Sequence, residues 1–262
     1  MHPMLNIAVR TLRKAGQVMV QAYEQQSQLA WSSVVDPKEI LPIERTITQL
    51  IISGIQRSYP QHKIIASTGE RLEGVETENV QWVVEPLAGR INFTHQLPHC
   101  AQAIAILVKA SPEFLAIYDP LRNELFTAAR GVGVQLNGYR LRIPAYSQSL
   151  RGKLLATPLS EHEESLQATA LAQLTKLLRQ GALVRCSGCS LLDLAYVAAG
   201  RLDGFWANGL PDWMAAAGAL LISEAGGLVT DGSGSPHWTG AKEMVAAPAK
   251  LLKPLLQQLR AS

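Results

Sequence analysis

Trp82-Val-Val-Glu-Pro-Leu-Ala-Gly-Arg-Ile-Asn-Phe93 decides how this chain is read. An apolar, strand-like run from Trp82 to Val84 delivers a carboxylate, Glu85. Pro86-Leu87 and then Gly89 turn the backbone sharply. A strand that ends this way can offer a carboxylate, a backbone carbonyl and a second carboxylate to a hard cation, which takes oxygen ligands. Here the position of the second carboxylate reads Ala88, and the next position that could carry a hydroxyl reads Arg90.

The surroundings are those of a well-buried globular chain. Hydrophobic residues make up 47% of the 262 residues and charged ones 17%, which excludes disorder. The apolar stretches reach roughly ten residues before Gly or charge breaks them, too short for a membrane span. The N-terminus lacks the basic-then-apolar order of a signal peptide, so a cytoplasmic location is expected. Net charge is +3, with Lys and Arg scattered in no long run, so no strong nucleic-acid footprint is present. Three cysteines, Cys100, Cys186 and Cys189, do not make a disulfide scaffold. Cys186-Ser-Gly-Cys189 has redox or zinc spacing but no second pair, and reads as small packing residues at a strand-to-helix turn.

Periodicity outlines the elements. Leu5, Ala8, Val9, Leu12, Ala15, Val18 and Met19 share one helical face over residues 3–25. Asp36-Pro37 and Leu41-Pro42 break the chain. A second helix is predicted from Ile43 to Tyr59, and strands over Lys63–Ala66 and Gln81–Val84. Ala101–Val108, Phe114–Asp119 and Glu124–Ala129 follow as an antiparallel meander. Asn137-Gly138 signals a type I′ hairpin. The second half alternates: strands at Leu154–Thr157, Ala182–Arg185, Gly204–Trp206 and Leu228–Thr230, helices at Ser165–Gln180, Ser190–Ala199 and Trp213–Glu224. Gly226-Gly227 stops the last helix. The pattern predicts an α+β half, 1–145, joined to an α/β half, 146–262, in one compact unit.

Several segments resemble the inositol monophosphatase family, most closely its bacterial SuhB branch. They are Met1-His-Pro-Met-Leu-Asn-Ile-Ala-Val-Arg10, Ser58-Tyr-Pro-Gln-His62, Tyr118-Asp-Pro-Leu-Arg-Asn-Glu-Leu-Phe126, Gln135-Leu-Asn-Gly-Tyr-Arg-Leu-Arg142, Leu192-Asp-Leu-Ala-Tyr-Val-Ala-Ala-Gly-Arg-Leu-Asp-Gly-Phe205 and Ser223-Glu-Ala-Gly-Gly227. The resemblance covers nearly the whole chain. It implies a layered αβαβα sandwich, often dimeric, and hydrolysis of phosphate monoesters with Mg²⁺.

The family's site does not survive intact. Its motif Asp-Pro-Leu/Ile-Asp-Gly-Thr-Thr-Asn-Phe reads Glu85-Pro-Leu-Ala-Gly-Arg-Ile-Asn-Phe93 here. By resemblance, Glu85 and the Leu87 carbonyl are what remains of the metal site, while Ser67, Ala88 and Met214 replace metal-binding carboxylates. Thr68 stands beside Ser67 where the family has Glu-Glu, with Glu70 near but off register, and Asp212 is one residue from the lost ligand at Met214. Glu44 and Arg90 stand at catalytic positions, the threonines that orient water being gone. Gly89, Arg90 and Ala207 stand at substrate-contacting ones.

Three lost carboxylates and one added guanidinium leave the site about four charge units more positive, which disfavours clustered hard cations. The expected cofactor is none, with Mg²⁺ weak at best. Arg90 is expected either to pair with Glu85 as a structural replacement for a metal or to form an anion site for a phosphate-bearing ligand. His95 and His99, four apart, read as structural. Asp193 is expected to serve helix or dimer structure, and Glu224 to be a solvated last-turn residue.

Three readings of function follow. The first is a catalytically impaired, regulatory protein, in which the resemblance implies a homodimer and a protein partner in a transcription or ribosomal RNA antitermination complex. The second is a divergent Mg²⁺-dependent phosphatase acting on inositol monophosphate or a similar ester. The third is a phosphate-ligand sensor built on Arg90.

Overall fold

The computed structural model describes residues 2–29, 40–75, 79–144, 148–159, 164–236 and 243–260. Asp36-Pro37 lies outside them. The chain divides into two compact units, residues 1–130 with 135–138, and residues 131–134 with 139–262.

The first unit is built on two helices and a sheet. Helix α1 (Pro3–Leu29) and helix α2 (Leu41–Ser58) pack on one another. Leu41-Pro42, read above as a breaker, instead opens α2, with the proline in the first turn. That position has no intrahelical partner for an N–H, so the missing donor costs nothing there. Its strands are β1 (Lys63–Ala66), β2 (Arg71–Leu72), β3 (Val80–Ala88), β4 (Ala101–Val108), β5 (Ser111–Asp119) and β6 (Glu124–Ala129); β7 (Gly133–Leu136) is divided between the two units and β8 (Tyr139–Leu141) belongs to the second. Within this unit they lie in the order β2-β1-β3-β4-β5-β6. From β3 to β6 the pairing is the antiparallel meander expected from the alternation. β1 runs parallel to β3, with Ala66 opposite Val84. Asn137 and Gly138 both have positive φ, 50° and 86°, as a type I′ turn requires.

One apolar layer holds this unit. Leu12, Met19, Ile47, Ile51, Trp82, Phe93, Ile104 and Ile106 belong to one buried cluster that takes the inner stripes of α1 and α2 and alternate residues of β3 and β4. Full burial of each such side chain contributes about 1.5–3 kcal/mol.

The second unit carries β9 (Leu154–Ala156), α4 (Glu164–Arg179), β10 (Leu183–Arg185), α5 (Ser190–Ala198), β11 (Gly204–Asn208), α6 (Asp212–Glu224), β12 (Leu228–Thr230), β13 (Glu243–Ala247) and α7 (Ala249–Arg260). Its sheet order is β10-β9-β11-β13-β12, parallel from β10 through β11 and antiparallel at β13. The mixed sheet matches the strand–helix alternation. β13 and α7 go beyond the elements expected from the pattern. Leu251, Leu252, Leu255, Leu256 and Leu259 of α7 are all buried, a helical stripe that runs past Pro254. Among the described residues no helix is long and apolar enough to cross a membrane.

Candidate functional site

The parallel pairing of β1 and β3 brings their carboxyl ends together. Ser67 donates its N–H to the Val84 carbonyl at 2.9 Å. One residue further along each strand, the Ser67 hydroxyl donates to the Glu85 carboxylate. Between Glu85 and Ala88 the register of β3 against β4 slips, a bulge that bends the strand out of the ladder. The bend lets the Leu87 N–H reach back to Glu85 Oε1 at 3.3 Å.

Gly89 then adopts φ 79°, in the left-handed region that a side chain rarely enters, and starts the short helix α3 (Arg90–Thr94). The motif read as a loop is therefore a strand, a bulge, a glycine and one helical turn. This geometry lifts Arg90 towards α2, where its guanidinium donates to the Glu44 carboxylate. The expected partner was Glu85, and the structure corrects that. Glu85 sits at the end of its own strand and is held by Ser67 and Leu87. Glu44 rises from the first turn of α2, its side chain only 4% exposed, and takes the cation.

The electrostatics follow from this division. Burial pushes the Glu85 carboxyl above the usual carboxylate range, the bonds from Ser67 and Leu87 pull it back, Glu44 raises it further and Arg90 lowers it. Arg90 is held protonated more firmly than a free guanidinium, chiefly through its hydrogen bond to Glu44.

Neighbouring polar groups are tied into the backbone scaffold. The Thr48 hydroxyl donates to the Glu44 carbonyl at 2.8 Å and lies 3.3 Å from the Thr68 hydroxyl, which donates to the Glu70 carboxylate. Ile91 is 59% exposed. His95 Nδ1 lies 3.0 Å from the Ile91 carbonyl, and Asn92 Nδ2 donates to the His99 carbonyl at 2.8 Å. Both contacts shape the connection from α3 to β4.

The remaining candidate positions belong to the second unit. Ala207 is buried in β11, Met214 is half-buried in the first turn of α6, and Asp212 is exposed at its start. Asp193 is buried and accepts from the Ser187 hydroxyl at 2.8 Å, which in turn accepts from the Cys189 N–H. It fixes the turn of the Cys-x-x-Cys segment. Glu224, expected to be solvated, accepts the Gly131 N–H at 2.7 Å and closes a hairpin turn.

A Mg²⁺ cluster of the kind the resemblance implies needs several free carboxylates. Ser67 and Ala88 offer none, and Glu44 is engaged by Arg90. Glu85 keeps two internal donors. Among the described residues no group of three or more His, Cys, Asp or Glu is placed to hold a metal ion.

The scaffold, in contrast, has close counterparts. The Nus factor SuhB of Escherichia coli (strain K12) is 43% identical over 260 residues, covering 99% of this chain and 97% of its own length. The Nus factor SuhB of Pseudomonas aeruginosa is 40% identical over 263 residues, with the same coverage. Among solved structures, the extragenic suppressor protein suhB from Bartonella henselae aligns over the whole of both chains with a TM-score of 0.88 and 30% identity. An inositol monophosphatase from Anabaena (Nostoc) sp. PCC 7120 aligns with a TM-score of 0.81 and 28% identity over 97% of this chain and 94% of its own. The fold is the one these proteins share. The family profile described as the inositol monophosphatase family matches residues 1–262, and the chain belongs to that family.

Proposed function

We propose that this chain acts by binding rather than by hydrolysis, as a regulatory member of its family in a bacterial transcription complex. The observation that carries the first half is the Arg90–Glu44 pair. Ester cleavage by paired metal ions needs those ions to generate the attacking hydroxide and to stabilise the leaving oxygen. A guanidinium does neither, and it sets a fixed positive charge among the few acids that remain. The second half rests on full-length identity to proteins named Nus factor SuhB. A role as a phosphate sensor is disfavoured, because the buried Glu44 carboxylate bonded to the guanidinium partly neutralises it and repels a second anion.

The test has two arms. Purified protein is assayed with inositol 1-phosphate in Mg²⁺ and in Mn²⁺. In parallel it is added to elongation complexes reconstituted from RNA polymerase and the Nus factors of the same organism. No turnover, with stoichiometric association, is expected. Metal-dependent turnover that disappears in Glu85→Ala overturns the reading.

A further inference from the structure

In the second unit, helices α4 and α7, the turn after β12 and the start of β13 line a cavity of about 640 Å³. That is the size of a small-molecule site. Thr169, Gln173 and Lys176 recur at helical spacing and form the α4 wall. Gln173 is buried and held from two sides. Its Oε1 accepts from Asn208 Nδ2 at 3.3 Å, and its Nε2 donates to the Leu259 carbonyl at 3.4 Å. These bonds tie α4 to β11 and to α7.

Asn208 stands directly opposite Glu243 in the β11–β13 ladder, which puts both side chains on one face of the sheet. The Glu243 carboxylate lies over Gly232. A Cβ at Gly232 would collide with Glu243 Oε2 and come within 2.7 Å of its Cδ. Gly232 is not among the glycines with positive φ, so here the missing side chain makes room for a carboxylate and does not serve a turn. The Gly232 carbonyl in turn accepts from Arg260 Nε at 2.7 Å, which brings a guanidinium to the same cavity. In the next row of the same face, Thr230 lies opposite Val245, is buried, and has a hydroxyl with no hydrogen-bond partner among the described residues.

The charges around this space do not satisfy one another. Among the described residues Glu243 makes an ion pair with neither Lys176 nor Arg260. One acid and two cations held apart around a cavity are complementary to a molecule that carries both signs. We propose that this cavity binds a small zwitterion of the amino-acid class. Glu243 accepts from the ammonium group, Lys176 and Arg260 donate to the carboxylate, and Thr169 and Gln173 form the polar wall beside them. The site lies within the second unit and draws nothing from the reading of Arg90 and Glu44.

Thermal unfolding of the full chain is followed with each of the twenty L-amino acids, at about 10 mM or at its solubility limit. Sodium acetate, methylammonium chloride and inorganic phosphate at the same concentration present one sign of charge each. At least one amino acid is expected to raise the midpoint by about 2 °C or more, and the single-charge ions by less than about 1 °C. No shift with any amino acid overturns the proposal, as does a shift with phosphate or acetate as large as the best amino acid gives.

The amino acid that shifts the midpoint most is then titrated by calorimetry into wild type, Glu243→Gln and Lys176→Met. Each variant is expected to bind about tenfold more weakly or worse. Unchanged affinity in either variant places the ligand elsewhere and overturns the proposal. Lys176 is half-buried on the surface of α4, so Lys176→Met keeps the test open should Glu243→Gln fail to fold.

Discussion

The indole N–H of Trp82 donates to Nδ1 of His62 at 2.9 Å, in the buried interior of the first unit. Tyr59 stacks on the same imidazole with ring centroids 4.7 Å apart. An imidazole nitrogen that accepts a hydrogen bond carries its proton on the other nitrogen, so the contact fixes the tautomer. Trp82→Phe keeps an aromatic ring and deletes the donor, and is expected to cost about 1–2 kcal/mol. Trp82→Ala also opens a cavity and is expected to cost about 3–5 kcal/mol. Urea unfolding checks both. A Trp82→Phe protein as stable as wild type would assign the whole contribution to packing.

Asp119 is fully buried and closes the turn after β5 with three bonds. Its Oδ1 accepts from the N–H groups of Leu121 and Arg122 at 3.0 and 3.1 Å, and its Oδ2 accepts from the Arg122 guanidinium at 2.9 Å. Asp119→Ala strands those donors and is expected to cost about 3–5 kcal/mol. Asp119→Asn keeps an oxygen for the two N–H groups and loses the ion pair, for an expected cost of about 1–3 kcal/mol. Equal losses for the two variants would show that the backbone bonds contribute nothing.

Close approach of α1 and α2 depends on Gly54. A Cβ there would meet the Thr11 hydroxyl oxygen at 2.7 Å and its methyl at 2.8 Å. Gly54→Ala is expected to destabilise by about 1–3 kcal/mol despite the better helix propensity of alanine. Thr11→Ala removes both clashing atoms, so the double variant is expected to regain most of the loss. A double-mutant cycle measures the coupling, and additive effects would place the strain elsewhere.

His99 gives the protein an acid-sensitive element. Burial first, and then the Arg122 guanidinium, lower its affinity for a proton, with Asp119 opposing. The imidazole therefore binds a proton more readily in the unfolded chain. Its contribution to stability is present above the unfolded value of about 6.5 and is lost as pH falls through the histidine range towards the lower folded value. His99→Gln is expected to flatten the dependence of the urea midpoint on pH in that window. An unchanged slope would remove His99 from the account.

The three thiols are expected to separate in a disulfide-exchange assay. Cys186 is exposed, whereas Cys100 and Cys189 are buried. Burial pushes the Cys100 thiol up to about 12, with Asp119 adding to the effect. One thiol is expected to react in the native protein, slowly because burial also raises Cys186, and three in denaturant. Reaction of two native thiols would place Cys100 or Cys189 within reach of solvent.

Much of the scaffold was legible because its signals are local. The stripe of Leu5, Ala8, Val9, Leu12, Ala15 and Met19 repeats at helical spacing, and those side chains are buried in α1. Asn137-Gly138 specifies its own turn. Leu41-Pro42 misled because a proline breaks a helix or begins one, and only the following residues decide which. The short helix α3 was hidden by Gly89, which reads as a turn while its left-handed backbone in fact starts a helix.

The candidate site was half legible. The acids and the arginine that meet there could be picked out by residue type, but not the partner of Arg90. Glu85 lies five residues away in sequence and Glu44 forty-six, and sequence distance favoured the wrong acid. Only the bulge after Glu85 and the handedness of Gly89 turn the guanidinium towards α2. The bond that Glu224 accepts from the Gly131 N–H was out of sight for the same reason, since the two residues lie ninety-three apart.

Because β1 and β3 run side by side in the same direction, the residues that follow Ala66 and Val84 emerge together whatever they are. The juxtaposition is a property of the backbone ladder, which side chains at those positions do not help to form. Chemistry at that rim can therefore be rewritten, or reinstalled by design, without renegotiating the architecture beneath it.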